Sequence, residues 1–284
     1  MLAIIGGTGI YQFEGLDVVT THTIETPYGQ PSGEIIEGKF DGLKVFFLPR
    51  HGSAHQFLPH EVNYRANIWA LKSLGVTQVI GLSATGSLQQ EIAPGDLSLP
   101  SQYFDFIKGN REKTFFGEGI AAHVSTAEPT CPQLAMHLGN AAKELDIVLH
   151  RDKTYACVDG PRLGTRAESL FLKNAVNADL VGMTNVPEVF LAREAQICYC
   201  TVAIATDYDC WQEDPAHHVT VEQVISRYGE SLEKAKSLIK MYLKNHHQPA
   251  DESSPQRQSL SSAILTPSQF IPEAKKALLD VLKR

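Results

Sequence analysis

The sequence predicts an α/β fold in which a mixed, mostly parallel sheet is flanked by helices. Two observations carry this. Short apolar runs rich in β-branched residues alternate with longer stretches of helical periodicity. The glycines, hydroxyls, arginine and aspartates with chemical potential then gather just past the ends of those runs, where open α/β sheets bind ligands.

In chain order, Leu2-Ala3-Ile4-Ile5 enters the turn Gly6-Gly7-Thr8-Gly9, and Leu43 to Leu48 closes on Pro49-Arg50-His51-Gly52. A helix is expected over roughly Val62 to Leu74, with Ile68, Trp69 and Leu71 as its buried stripe. Val79 to Leu82 is a third strand, running into Ser83-Ala84-Thr85-Gly86. Leu180-Val181-Gly182 ends at Met183-Thr184, ahead of a helix through PEVFLAREA. Thr201 to Ala205 is a strand ending at Thr206-Asp207-Tyr208-Asp209. Thr220 to Gln223 has capping-box spacing and opens a helix toward Leu243. The alternation favours a largely parallel, doubly wound sheet over residues 1–247. Residues 248–262 are polar with Pro and Ser and read as a mobile linker. Residues 263–284 carry a terminal helix, Pro272 to Leu282, with apolar Ala274, Leu278, Val281 and Leu282. So short a helix must dock, on the same domain or on a neighbouring subunit.

Composition excludes several function classes. A formal net charge of −7 over 284 residues argues against a nucleic-acid surface. The N-terminal apolar run is too short for a signal peptide, and no run reaches membrane-spanning length. The five cysteines lack paired CxxC spacing, and Cys198 and Cys200 share one face of a strand as core residues, so a reducing cytoplasm is expected. Among the eleven histidines, His217-His218 and His246-His247 are adjacent pairs without HExxH spacing, and no metal site is expected.

The opening IIGGTGI lacks the full dinucleotide fingerprint and suits a turn that offers backbone N–H groups and the Thr8 hydroxyl to an anion. Arg50 supplies a bidentate fork, and Gly52 permits a sharp turn beside a ligand. Thr8, Arg50, Ser83 and Thr184 together make a cradle of neutral donors and one cation for a phosphate dianion. No Walker lysine is present. If the extended pattern continues beyond the strand, Asp207 and Asp209 lie on one side of it. Apolar flanks leave at least one of them partly desolvated, able to donate a hydrogen bond as a neutral carboxyl group. His55 and His60 flank the arginine loop as structural residues.

The segments IIGGTGI, RHGSAHQFLPHEVNYRANIWALK, SATGSL, EIAPGDL, DGPRLGTRAES, MTNVPEVFLAREA and ATDYDCW follow one another from Ile4 to about Ile239. In content and order they closely resemble the 5'-methylthioadenosine phosphorylase branch of the trimeric purine nucleoside phosphorylases. The resemblance implies a single α/β domain, a homotrimer, and no metal or organic cofactor, with inorganic phosphate as co-substrate. It implies phosphate contacts at Thr8, Arg50, His51, Ser83, Ala84 and Thr184, a ribose contact at Met183, and base recognition by Asp207 and Asp209. Val221 and Val224 match apolar residues near the 5' substituent, and His123 matches a histidine supplied by a neighbouring subunit. The implied reaction is phosphorolysis of methylthioadenosine, with Asp207 as general acid. An asparagine at the place of Asp207 accompanies 6-oxopurine preference in relatives. Leu163-Gly164 departs from the usual aromatic-serine pair near the base, and this departure keeps a 6-oxopurine or methylthioinosine enzyme as the alternative.

Overall fold

The computed structural model describes residues 1–7, 15–212 and 221–284. On the helix beginning at Val221, side chains are described for Gly229 and from Ser231 onward. The strands are β1 (Leu2–Gly6), β2 (Leu16–His22), β3 (Ile35–Phe40), β4 (Leu43–Pro49), β5 (Gln78–Ser87), β6 (Leu97–Phe106), β7 (Leu149–Val158), β8 (Leu180–Gly182) and β9 (Cys198–Asp207). The helices are α1 (Tyr64–Ser73), α2 (Pro132–Glu144), α3 (Arg166–Asn174), α4 (Asn185–Glu194), α5 (Val221–Met241) and α6 (Glu273–Leu282).

All nine strands form one sheet in the order β2-β3-β4-β1-β5-β8-β7-β6-β9, and β5 also pairs with β9. The sheet therefore closes into a ring through β5, β8, β7, β6 and β9, with β2, β3, β4 and β1 as a wing. This corrects the doubly wound expectation, which assumed an open sheet. Closure follows from strand length. The ten-residue β5 pairs with β9 along Gln78 to Gly86 and gives its far end, Gly86-Ser87, to the short β8. The mixed, mostly parallel reading holds by a small margin. The β1–β4, β1–β5, β5–β9, β6–β7 and β7–β8 pairings are parallel, and the other four are antiparallel.

Period-two alternation distributes the core to both faces of the sheet. Leu2 and Ile4 of β1 join Ile80, Leu82, Val202 and Ile204 beneath α2 and α5, whereas Ala3 and Ile5 join Val79 and Tyr199 beneath α1, α4 and α6. Every residue of β9 is buried, which explains its unbroken apolar run. The strand extends from Cys198 rather than from the expected Thr201, so Cys198 and Cys200 sit fully buried on one face, as core residues should.

The remaining expectations differ mostly at element ends. The first helix is shorter than expected, Tyr64–Ser73, with Ile68 and Leu71 buried and Trp69 half-buried. α5 is described over Val221–Met241, and Thr220, the intended cap, lies outside the described residues. The linker reading is corrected. Gln256, Arg257 and Leu260 are buried, Arg257 donates to the Gln196 carbonyl, and the Ser259 hydroxyl donates to the Arg193 carbonyl at 2.6 Å. Polar composition suggested mobility, but these side chains satisfy the carbonyls at the end of α4. α6 packs through Leu278 and Leu282 into the core shared with α1, and Leu279 is buried where Ala274 was expected.

Two buried tyrosine hydroxyls sit where glycines leave room. A Cβ on Gly81 would lie 2.2 Å from the Tyr199 hydroxyl, and one on Gly182 would lie 1.9 Å from that of Tyr155. Gly182→Ala is expected to cost at least about 1–3 kcal/mol through overpacking. Urea denaturation at an unchanged m-value measures this, and an undiminished midpoint would contradict the packing.

Candidate active site

Parallel pairing aligns the carboxyl ends of neighbouring strands. Gly6 of β1 is level with Pro49 of β4, and the Arg50 N–H donates to the Gly6 carbonyl at 2.9 Å. Ser83 of β5 is level with Ala203 of β9. Arg50 therefore leaves β4 on the side toward which β5 runs, and the antiparallel β5–β8 pairing, Gly86 opposite Val181, brings the residues after β8 back along β5 toward Ser83.

Arg50 points inward rather than to solvent and is 2% exposed. Its Nε and Nη2 donate to the two carboxylate oxygens of Glu188, each at 2.7 Å, and Nη1 donates to the Leu82 carbonyl at 2.6 Å. Glu188, in the first turn of α4, is fully buried and also accepts from the Tyr199 hydroxyl at 2.7 Å. Burial alone would lower the Arg50 guanidinium, but the Glu188 carboxylate outweighs it and holds the guanidinium above its ordinary range. Arg50, the one cation of the expected cradle, thus has a buried counter-charge. Glu188 balances that charge, and among the described residues two of the five guanidinium N–H donors have no acceptor.

Beside this pair the Ser83 hydroxyl lies 3.1 Å from the Tyr155 hydroxyl and 3.5 Å from that of Thr184. Ser83, Thr184 and Tyr155 are all buried, yet Ala84, one residue along β5, is exposed within an otherwise buried strand. The sheet face thus opens at this point. His51 donates from Nδ1 to the Phe57 carbonyl at 2.8 Å and stacks on His55 at 4.6 Å. Burial, then the neighbouring Arg50 charge, lowers its imidazole to about 4. The ring is neutral near pH 7, with its Nε2 lone pair as an acceptor.

Two carboxylates converge at the other end of β5, though not by the expected route. β9 ends at Asp207, and Asp209 adopts φ 51°, so the extended pattern stops. Instead the chain folds back. The Asp209 N–H donates to Asp207 Oδ1 at 2.7 Å, and the Thr206 hydroxyl donates to Asp207 Oδ2 at 2.6 Å. A Cβ on Gly86 would meet Asp207 Oδ1 and the Asp209 Cβ, each at 3.1 Å. Glycine there leaves both aspartates a place against the sheet. Burial raises the Asp209 carboxyl above its ordinary value.

The 160–165 loop approaches both centres. The Met183 sulfur lies so near Gly160 that a Cβ there would be 2.4 Å from it, and the Cys210 thiol donates to the Gly164 carbonyl at 3.4 Å. Leu163 is 44% exposed. The loop is anchored by a complete capping box at Thr165 and Glu168, and Arg162 forks onto Glu168. Arg111 ties the parts together, donating to the Met183, Val186 and Asp159 carbonyls at 2.7, 2.8 and 2.8 Å.

Arg50, Ser83, Ala84, Thr184 and Met183 are therefore neighbours, with His51 on the adjoining turn, and Asp207, Asp209 and Gly164 meet at the second centre. His123 is exposed on the loop after β6, its N–H bound to the Ala263 carbonyl at 2.9 Å, apart from these bonds. Thr8 lies outside the described residues, as do the side chains of Val221 and Val224. Sequence reasoning missed Glu188, Tyr155 and Arg111. The acid within the otherwise apolar VPEVFLA was a readable signal for Glu188. Arg111 carried none, because its acceptors are backbone carbonyls far away in sequence. Among the described residues there is no group of three or more metal-ligating side chains, and no helix is long and apolar enough to cross a membrane.

The profile of the phosphorylase superfamily matches residues 1–244. An S-methyl-5'-thioadenosine phosphorylase of Geobacter sulfurreducens is 43% identical over 282 residues, covering 99% of this chain and 97% of that protein. One from Hyperthermus butylicus is 50% identical over 238 residues, covering 84% and 85%. Among solved structures, a methylthioadenosine phosphorylase from an antarctic soil metagenomic library superposes with a TM-score of 0.92 at 42% identity, covering 99% of this chain and 98% of that one. The Schistosoma mansoni methylthioadenosine phosphorylase in complex with adenine gives 0.83 at 34%, covering 92% and 98%.

Two consequences of this geometry are measurable. Glu188→Ala leaves a buried guanidinium without its counter-charge and is expected to lower unfolding free energy by about 3–5 kcal/mol; a loss below 1 kcal/mol in urea titrations would contradict the pairing. The lowered His51 imidazole means that the unfolded chain binds a proton between pH 6.5 and about 4 that the folded chain does not. His51 therefore costs stability as pH falls through that window and costs none above it. His51→Gln should flatten the dependence of unfolding free energy on pH there, and an unchanged slope would exclude a neutral, buried ring.

Proposed function

The chain belongs to the phosphorylase superfamily, and from this premise we propose that it splits 5'-deoxy-5'-methylthioadenosine with inorganic phosphate into adenine and 5-methylthioribose 1-phosphate. One observation carries the reading. Arg50, Ser83 and Thr184 converge near the middle of β5, while Asp207 is buried against Gly86, three residues further along the same strand. An anion site and a base site thus share one strand as a ruler.

In this reading phosphate takes the two remaining Arg50 donors and the hydroxyls of Ser83 and Thr184, with Thr8 and the backbone at His51 and Ala84 completing the site. The ribose packs on Met183. As the glycosidic bond lengthens, the sugar acquires oxocarbenium character, and the phosphate beneath C1' stabilises it electrostatically before capturing C1' with inversion. The Asp207 oxygens accept from the Thr206 hydroxyl and the Asp209 N–H. One accepts from the adenine 6-amino group, and the other carries the proton that moves to N7 as the purine leaves. Asp209 and the Leu163-Gly164 loop border the base, and Val221 and Val224 line the 5' substituent. The reaction needs no metal or organic cofactor, since phosphate is nucleophile and electrostatic stabiliser at once. We extend the reading to a homotrimer in which His123 of one subunit completes the pocket of the next. The compartment is a reducing cytoplasm, supported by five unpaired cysteines.

The test is phosphate-dependent base release from methylthioadenosine and methylthioinosine, in the unmodified protein and in Asp207→Asn. Adenine release should be faster in the unmodified protein, and the variant should shift preference toward the 6-oxopurine by about ten- to a hundredfold, the worth of one mismatched buried polar contact. Faster hypoxanthine release by the unmodified protein would overturn the adenine assignment in favour of the methylthioinosine alternative.

A further inference from the structure

Phosphate near neutral pH presents mostly acceptor oxygens, so a hydroxyl helps to bind it only when its proton points at the anion. A serine hydroxyl can turn either way, and something must decide the direction. The geometry assigns Tyr155 as the positioning residue that makes Ser83 a hydrogen-bond donor to bound phosphate, an inference that rests on the phosphorylase reading above.

The argument is a count of protons. The Tyr155 hydroxyl is fully buried and lies 3.1 Å from Ser83 Oγ, the one hydrogen-bond acceptor beside it among the described residues. Burial pushes its phenol above the ordinary range, so it stays protonated and must place its one proton. With no other acceptor in hydrogen-bond reach among the described residues, that proton goes to Ser83 Oγ. Ser83, having accepted from Tyr155, has its own proton left to give, and its neighbours are the Ala84 carbonyl at 3.3 Å and the Thr184 hydroxyl at 3.5 Å. Both contacts are long for O–H···O bonds, so an anion between Ser83, Thr184 and Arg50 would be the stronger acceptor. The relay runs in one direction, from Tyr155 through Ser83 to phosphate, and each bond polarises the next. Gly182 makes it possible, because any Cβ there would occupy the place of the Tyr155 hydroxyl.

Tyr155→Phe keeps the ring and removes only the hydroxyl; Ser83→Ala touches no core packing and serves as the second variant. Binding of inorganic phosphate is measured by calorimetry, and KM for phosphate and for methylthioadenosine by turnover, in both variants and the double variant. The expected result is a loss of about tenfold in phosphate Kd and KM for Tyr155→Phe, with the nucleoside KM unchanged. The double variant should be no worse than Ser83→Ala, as required of residues acting in one relay. An unchanged phosphate Kd in Tyr155→Phe, equal rises in both KM values, or losses that multiply in the double variant would each overturn the inference. If the unmodified protein binds phosphate but releases no base, the phosphorylase reading falls, and the calorimetric comparison still decides the role of Tyr155. If it binds no phosphate, both fall.

Discussion

The buried pairing of Arg50 with Glu188 is the constraint on which the site depends. It joins the turn after β4 to the first turn of α4, two segments separated by 138 residues in sequence. Breaking it would strand a charge with 2% exposure at a cost the fold could hardly bear. Its position also dictates what surrounds it. Tyr199 must reach Glu188, so Gly81 must lack a side chain. Arg50 must reach the Leu82 carbonyl, which fixes the guanidinium beside Ser83. The proposed anion site is thus a by-product of satisfying one buried ion pair.

A second layer of polar groups extends outward from that pair. Tyr199 lies within reach of Thr201, which also accepts from Tyr103 and Asn185, while Tyr155 bonds Ser83. Aromatic residues suit this work because a large apolar body contributes packing while a single hydroxyl is delivered to a defined point. Arg111 does the corresponding work for the backbone, holding the carbonyls of Met183 and Asp159 together. The loops that border the proposed base and ribose positions are therefore set by interior bonds, not by their own exposed residues.

How much of this was legible in the sequence follows from the range of each interaction. β8 was read at its observed bounds because a short apolar run between Asp179 and a chain-turning Gly182 is a local signal. Arg50 and Asp207 were legible as strand-end residues because β4, β1, β5 and β9 run parallel, whereas Ser83 lies inside the longer β5 and Thr184 reaches it through the antiparallel β5–β8 pairing. The Asp207–Asp209 geometry was not, since the φ of 51° at Asp209 is the backbone's response to a bond with Asp207 itself. The 248–262 segment misled for a related reason. Its polar residues are partners for carbonyls at the end of α4, and composition does not say whether a polar group is answered by water or by protein. Ring closure through β5 and β9 was equally invisible, being a property of strand length and pairing.

The balance of charge at Arg50 bears on the proposed chemistry more than the presence of an arginine does. In phosphorolysis the anion has two tasks that compete: it must be held, and it must keep enough negative charge to stabilise an oxocarbenium sugar. An unopposed guanidinium in a low-dielectric site would hold phosphate strongly and blunt its field at C1'. It would also retain the sugar-phosphate product. Glu188 removes that net charge while leaving Arg50's directional donors in place. Holding then falls to hydrogen bonds from Arg50, Ser83 and Thr184, which fix position without cancelling the dianion. The orientation of a single serine proton therefore matters, because in a cradle of near-zero net charge each correctly aimed donor is a large share of the affinity.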